Sequence, residues 1–200
     1  VSAEAQKFSC CFYFKKRRSL LLLACVLASC TDDRHVRVGD IIPTSTVEHL
    51  QVALPAHWVV AHMVKTLQLD AIEMVPEGQS RARWTDMLTI VWIDRGLYHN
   101  LADQSAALAQ NFEQRCGGRA VETVPEWRDD GAYHATMQTL RCARSPEGFA
   151  HVMIVKTIKG HDAYYQVQRA WRLPAGDVDV PEGGAAAARV LAGVHLVAGP

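Results

Sequence analysis

The sequence predicts an α+β domain: an antiparallel β-sheet in a meander, with one main helix packed on it and a second helix near the C-terminus. Three observations lead there. Runs of alternating character between Ala120 and Arg172 are separated by Asp-Gly, Pro-x-Gly and Gly-His clusters, which are hairpin signals with a mechanism in turn chemistry. A single stretch, Asp103 to Cys116, switches to helical spacing. A third, Trp84 to Asp94 (WTDMLTIVWID), is β-rich and apolar on both faces, as a central strand should be.

The elements follow in order. Residues 30–50 are polar with one short apolar break and are expected to be a tether, leaving 51–198 as one domain. Val52, Leu54, Trp58 and Val60 alternate around Pro55, which predicts a turn into a strand. The segment DAIEMVPEG reads as a short strand ending in a Pro-Glu-Gly turn. In the helix, Leu108, Phe112 and Cys116 recur on one face, and Gly117-Gly118 supplies a left-handed stop. Cys116 is therefore expected at the buried end of a helix, above a strand. The meander then runs through AVETVPEW, AYHATMQTLRC, FAHVMIVKTIKG and AYYQVQRAWR. After a Pro/Gly-rich link, AAAARVLAGVHLV is predicted to be a final helix.

Pairing the meander through its turns sorts the side chains onto two faces. Tyr133, Met137, Val152, Ile154, Ile158, Tyr165, Val167 and Trp171 share one, the core expected beneath the main helix. His134, Thr136, Gln138, His151, Thr157, Tyr164, Gln166 and Gln168 share the other, with Met153 and Val155 among them. Arg169 falls on the apolar face, where it needs a partner; Glu113 on the helix is one candidate.

The order of short strands opening with LPAHW, then WTDMLTIVW, one long helix and a closing meander resembles the PsbP-like α+β fold over roughly residues 50–173. That resemblance implies an antiparallel sheet with helices against it. It implies no function, and no site residue carries over, because no site motif matches.

The N-terminus carries an address. Lys15 to Arg18 precede an apolar run, Leu20 to Leu27, that is half the length a bilayer-spanning helix needs. A basic region, a short apolar region and small residues at the end are the layout of a secretory signal over 1–29. Leu27-Ala28-Ser29-Cys30 resembles the bacterial lipobox. The resemblance implies cleavage before Cys30, lipidation of that cysteine and two or three acyl chains, enough for stable anchoring. Thr31, where an aspartate would favour retention, implies export to the outer membrane.

Composition narrows the function classes. Removing the leader takes away a charge of +4 from a balanced chain, so the remainder is about −4, and nucleic acid is not an expected partner. Of six cysteines, three leave with the leader and Cys30 takes lipid, which leaves Cys116 and Cys142 in an oxidising compartment. A disulfide between them is expected. A reduced pair or a two-cysteine metal site is the alternative, the latter without CxxC or His-x3-His spacing.

Nine histidines are scattered without metal-ligand spacing, so no metal or cofactor is expected. Gly-x-Ser-x-Gly is absent, and Ser145 in SPEG is explained by its turn. The most distinctive segment, KTIKGHDAYYQVQRAWR, mixes Lys156, Lys159, His161, Tyr164, Arg169 and Arg172, a composition suited to an anionic group or a protein partner. With His134 and His151 these are the candidate binding residues, and none is assigned a catalytic role. The expectation is a lipid-anchored, non-catalytic accessory or binding module for an envelope protein. The alternative is an envelope hydrolase or a small-ligand-binding protein on the polar face around His134 and His151. A carrier of this kind needs a cavity between sheet and helix.

Overall fold

The computed structural model describes residues 48–118, 120–122, 124–181 and 183–198. The segments expected to be a signal and a tether, with Cys30 between them, lie outside the described residues up to residue 47. Antiparallel strands make up the larger part of its regular structure. In order they are β1 (Glu48–Gln51), β2 (Trp58–Lys65), β3 (Leu69–Pro76) and β4 (Asp86–Asp94), then helix α1 (Leu101–Arg115). There follow β5 (Ala120–Glu122), β6 (Glu126–Asp130), β7 (Tyr133–Cys142), β8 (Ala150–Lys159) and β9 (Ala163–Leu173). Helix α2 (Gly184–Ala192) and β10 (His195–Ala198) close the domain.

The α+β class is as the sequence predicts. One antiparallel sheet runs β2-β3-β4-β9-β8-β7-β5, with β6 also on β7, and β1 pairs with β10 in a separate ribbon. β4 lies between β3 and β9, and this central place explains why it is apolar on both faces. α1 starts where the Asn100 side chain accepts from the Asp103 amide at 2.9 Å, and ends at Gly117 and Gly118, both at positive φ.

Two boundaries differ from expectation. Residues 48–50, assigned above to the tether, belong to β1, because Glu48 is fully buried and β10 pairs with the strand. The segment expected to be one last helix is a helix followed by a strand. Gly193 ends α2, and the alternating His195-Leu196-Val197-Ala198 then pairs with β1.

The face assignment of the meander holds, but the main helix sits on the other side. Val152, Ile154, Ile158, Tyr165, Val167 and Trp171 pack with Ile72, Leu88 and Ile90 under Ala187 and Leu191 of α2 and Leu196 of β10. The smaller helix therefore covers the apolar face, while α1 covers the polar one. The reason is visible in α1 itself: its inward residues include Gln104 and Ser105 as well as Leu101, Leu108 and Ala109. Ser105 Oγ meets Thr136 Oγ1 at 3.1 Å, a contact that an apolar face could not offer.

Arg169 consequently has a different partner from the one anticipated. It lies on the α2 side, away from Glu113, and its Nε and Nη2 reach Asp86 at 2.5 and 2.6 Å. The guanidinium also stacks over Trp58 at 4.2 Å.

Glu48 fastens the ribbon to the sheet. Its carboxylate accepts from the His161 amide at 2.8 and 3.0 Å, and its charge acts on the Tyr133 and Tyr165 phenols beside it. Burial, then the carboxylate itself, holds both phenols above the usual tyrosine range. Gly160 makes room for this cage. A Cβ there would overlap the Glu48 carboxylate and lie 2.8 Å from the Tyr165 ring. Gly160→Ala is expected to cost about 3 kcal/mol in urea unfolding, by overpacking. Gly183→Ala, where a Cβ meets nothing within 4 Å, should stay within about 1 kcal/mol.

Candidate functional site

α1 does not cover the whole of its face. It packs over β7 and β8, where Leu108 and Ala109 meet Leu140, Met153 and Val155. At its first turn Leu101 joins Ala71, Val91, Ile93 and Tyr164. At its last, the Cys116–Cys142 disulfide ties it to β7, with the two Cα atoms 5.7 Å apart. Between these anchors, over β3, β4 and β9, lies a cavity of about 520 Å³. That volume is within the range of small-ligand sites.

The cavity wall has two characters. Met87, Val91 and Ile93 of β4, with Leu108 and Phe112 of α1, are apolar. Set among them are Thr89, Gln104, Gln166 and Gln168, polar and uncharged. On β9 the Gln168 amide donates to Gln166 Oε1 at 3.1 Å, and the Gln166 amide donates to Thr157 Oγ1 at 3.2 Å. Gln104 is 2% exposed, and its Oε1 has no partner among the described residues. A buried amide oxygen left this way costs free energy until something donates to it.

The end of the cavity beside the disulfide is different. Ser145, Glu147, His151 and Arg115 line it, with Trp84 edge-on to the imidazole at 6.0 Å. Behind them Arg172 stacks on Trp84 at 4.4 Å and pairs with Glu147 at 3.0 Å. Ser145 Oγ and His151 Nε2 are both buried without a hydrogen-bond partner among the described residues. Burial first, then the charges of Arg172 and Arg115, lowers the His151 pKa to about 4. The imidazole is therefore neutral at neutral pH.

This has a consequence for stability with a definite sign. An unfolded His151 takes a proton near pH 6.5, while the folded one resists until about pH 4. The unfolded state then binds more protons across that window, so stability is complete above pH 6.5 and falls as the pH drops toward 4. The expected loss is about 3 kcal/mol, measured as the difference in urea midpoints between pH 7 and pH 4. A His151→Gln variant should lose that part of the acid sensitivity.

Of the residues singled out from sequence, the structure brings few together. His134 and His151 share the α1 face but not a site. His134 is opposite Lys159, and His151 opposite Cys142. The eight-residue offset along β7 separates them by roughly 26 Å at the rise of a strand. His134 is exposed, with its ring 3.2 Å from Asp129. Lys159 lies at that same far end, partly exposed. His161 sits in the turn with Asp162 at 2.6 Å, its amide given to Glu48. Tyr164 is fully buried, its hydroxyl 3.5 Å from the Tyr98 carbonyl oxygen and its phenol pushed up by burial. Arg169 is on the opposite face. Only His151 lines the cavity, with Arg172 behind it.

What sequence reasoning missed was the importance of uncharged polar residues. Gln166 and Gln168 stood on the correct face, and Gln104 sat within the helix, yet no charge or motif marked them. Their signal was alternate glutamines in a strand that a helix partly covers. Among the described residues, no group of three or more His, Cys, Asp or Glu side chains is placed to hold a metal ion. No family model and no curated protein matches the chain.

Proposed function

We propose that the protein is a lipid-anchored binding protein of the cell envelope, non-catalytic, that holds a small amphiphilic molecule between α1 and the sheet. The observation that carries this reading is the row of uncharged amides and hydroxyls set among apolar side chains in the cavity between α1 and the sheet, with Gln104 Oε1 lacking a donor among the described residues. A site that orients a ligand through a few fixed polar groups has this composition. Ser145 and His151 line the same cavity but are not hydrogen-bonded to each other, so this serine is not activated by that imidazole. That supports binding over hydrolysis. The anchor belongs to the proposal through Cys30, with the outer membrane as the destination that Thr31 favours.

Native mass spectrometry tests it. Protein released from envelopes in mild detergent should carry a retained small molecule. Ala170→Phe, which places a ring in the cavity from β9, should release it with the fold unchanged. Identical spectra for the two proteins would contradict the proposal.

A second reading, service to an envelope protein partner, is favoured by one feature. Trp127 on β6 is 61% exposed, and Val124 just before it is 85% exposed. Large apolar side chains adjacent on a sheet edge suit a protein contact. In-cell crosslinking should then give a defined adduct that Trp127→Glu removes.

A further inference from the structure

Buried hydrogen-bonding groups stand at both ends of the cavity, and their chemistry narrows the ligand class, on the footing that the cavity is the ligand site. In the first half of α1 the group is Gln104 Oε1, on a side chain 2% exposed and without a partner among the described residues. Beside the disulfide the groups are Ser145 Oγ and His151 Nε2, buried and likewise without one. All three residues line the same cavity. The two ends stand well apart. From Gln104 to Arg115, the last residue before the disulfide, is roughly 16 Å along α1 at the rise of a helix. Leu108 and Phe112 lie on the helix between them and make that part of the wall apolar.

The two ends make different demands. An amide oxygen only accepts, so whatever completes Gln104 must donate a proton. A carboxylate or an ether oxygen placed there would add a second acceptor and leave both unpaired. A hydroxyl or an amide N–H fits. An ammonium would also donate, but the one acidic side chain among the described lining residues, Glu147, stands at the other end. Ser145 and His151 are less exacting. A hydroxyl both donates and accepts, and the nitrogen of a neutral imidazole does one or the other according to its tautomer.

We propose that the cavity takes a chain-like molecule polar at both ends: an uncharged hydroxyl or amide N–H donates to Gln104 Oε1, a second hydrogen-bonding group sits at Ser145 and His151, and an apolar middle lies along Leu108 and Phe112. A ligand with a single head group completes one end and leaves the buried groups of the other unmet, at a cost in free energy. The discrimination at Gln104 is steep, because a site built around a buried acceptor penalises an analogue that lacks the donor.

Calorimetric titration of the intact disulfide-bonded protein tests this with three probes of one chain length. Decanediol has a hydroxyl at each end, decanol at one end only, and dimethoxydecane has ether oxygens that accept but cannot donate. Decanediol should bind about tenfold more tightly than either of the others, a difference of about 1.4 kcal/mol. Gln104→Met keeps the helix propensity and approximate length of the side chain but removes its oxygen. It should erase the advantage of decanediol and leave decanol bound as before. Equal affinity for decanediol and decanol would overturn the two-ended assignment. Equal affinity for decanediol and dimethoxydecane would overturn the donor requirement at Gln104, as would an advantage that survives Gln104→Met. In each of these cases decanediol binds, and the cavity stands as a ligand site. If none of the three binds while native spectra show a retained molecule, the two-ended chain is wrong and the cavity reading stands. If native spectra show no retained molecule either, both fall.

Discussion

Replacing Lys156 with alanine is expected to cost about 3–5 kcal/mol and to release the C-terminal segment. Lys156 stands on β8, on the side of α2, with only 4% of its side chain exposed. Its Nζ donates to the carbonyl of Val194 at 2.6 Å and of Ala192 at 3.2 Å, the last residue of α2. It also lies 3.3 Å from Asp130 Oδ2, while Asp130 Oδ1 is 2.6 Å from His195 Nδ1. One cation therefore neutralises a helix C-terminus, satisfies two buried carbonyls and holds a buried carboxylate. Removing it strands all three. A buried charge deprived of its partner is the costliest part, because Asp130 cannot return to water without opening the ribbon. Hydrogen exchange should show α2 and β10 losing protection first, while β8 and β9 keep theirs. Lys156→Ala together with Asp130→Asn should recover part of the loss. A cost below about 1 kcal/mol would mean that the ribbon is held by its apolar contacts alone.

The second large effect joins stability to the site. Opening the Cys116–Cys142 bond, 26 residues apart in sequence, is expected to destabilise the fold by about 3–4 kcal/mol on the chain-entropy account. The bond also forms part of the cavity wall and holds the last turn of α1. A Cys116→Ser, Cys142→Ser protein should therefore bind its ligand about tenfold more weakly even where it remains folded. The Arg115 and His151 end would lose its fixed spacing first, since it is adjacent to the bond. Unchanged affinity in the folded double variant would show that α1 is positioned by Leu101 and Leu108 without help from the disulfide.

Much of the fold was legible because the rules that produce it are local. Turn clusters at Asp130-Gly131 and Ser145-Pro146-Glu147-Gly148 set the hairpins, and the pairing parity followed from them. The disulfide was legible by counting, since Cys116 and Cys142 are the two cysteines that follow Cys30. Which helix covers which face was not, because a two-faced sheet offers each helix a choice that only its full complement of neighbours decides. α1 carries Gln104 and Ser105 inward, and those residues count against the apolar face only if the buried Thr136 and Gln166 are known to await them. The ribbon was hidden for a related reason. Val-His-Leu-Val continues the helical periodicity of the alanines before it, and only its pairing with β1, almost 150 residues earlier, makes it a strand. The candidate site was the least legible part. Charged residues drew attention to Lys159, His161 and Arg169, whereas the cavity is built mainly from glutamines, a threonine and ordinary apolar side chains.

The most direct test of the cavity as a ligand site is the NMR response of its own side-chain amides. With the ligand recovered from native protein, or with decanediol, the side-chain NH₂ resonances of Gln104, Gln166 and Gln168 and the indole resonance of Trp84 should shift together and saturate at one stoichiometric equivalent. The exposed Trp127 indole should stay where it is. Shifts confined to Trp127 and the β6 edge, with the glutamine amides unmoved, would contradict the account.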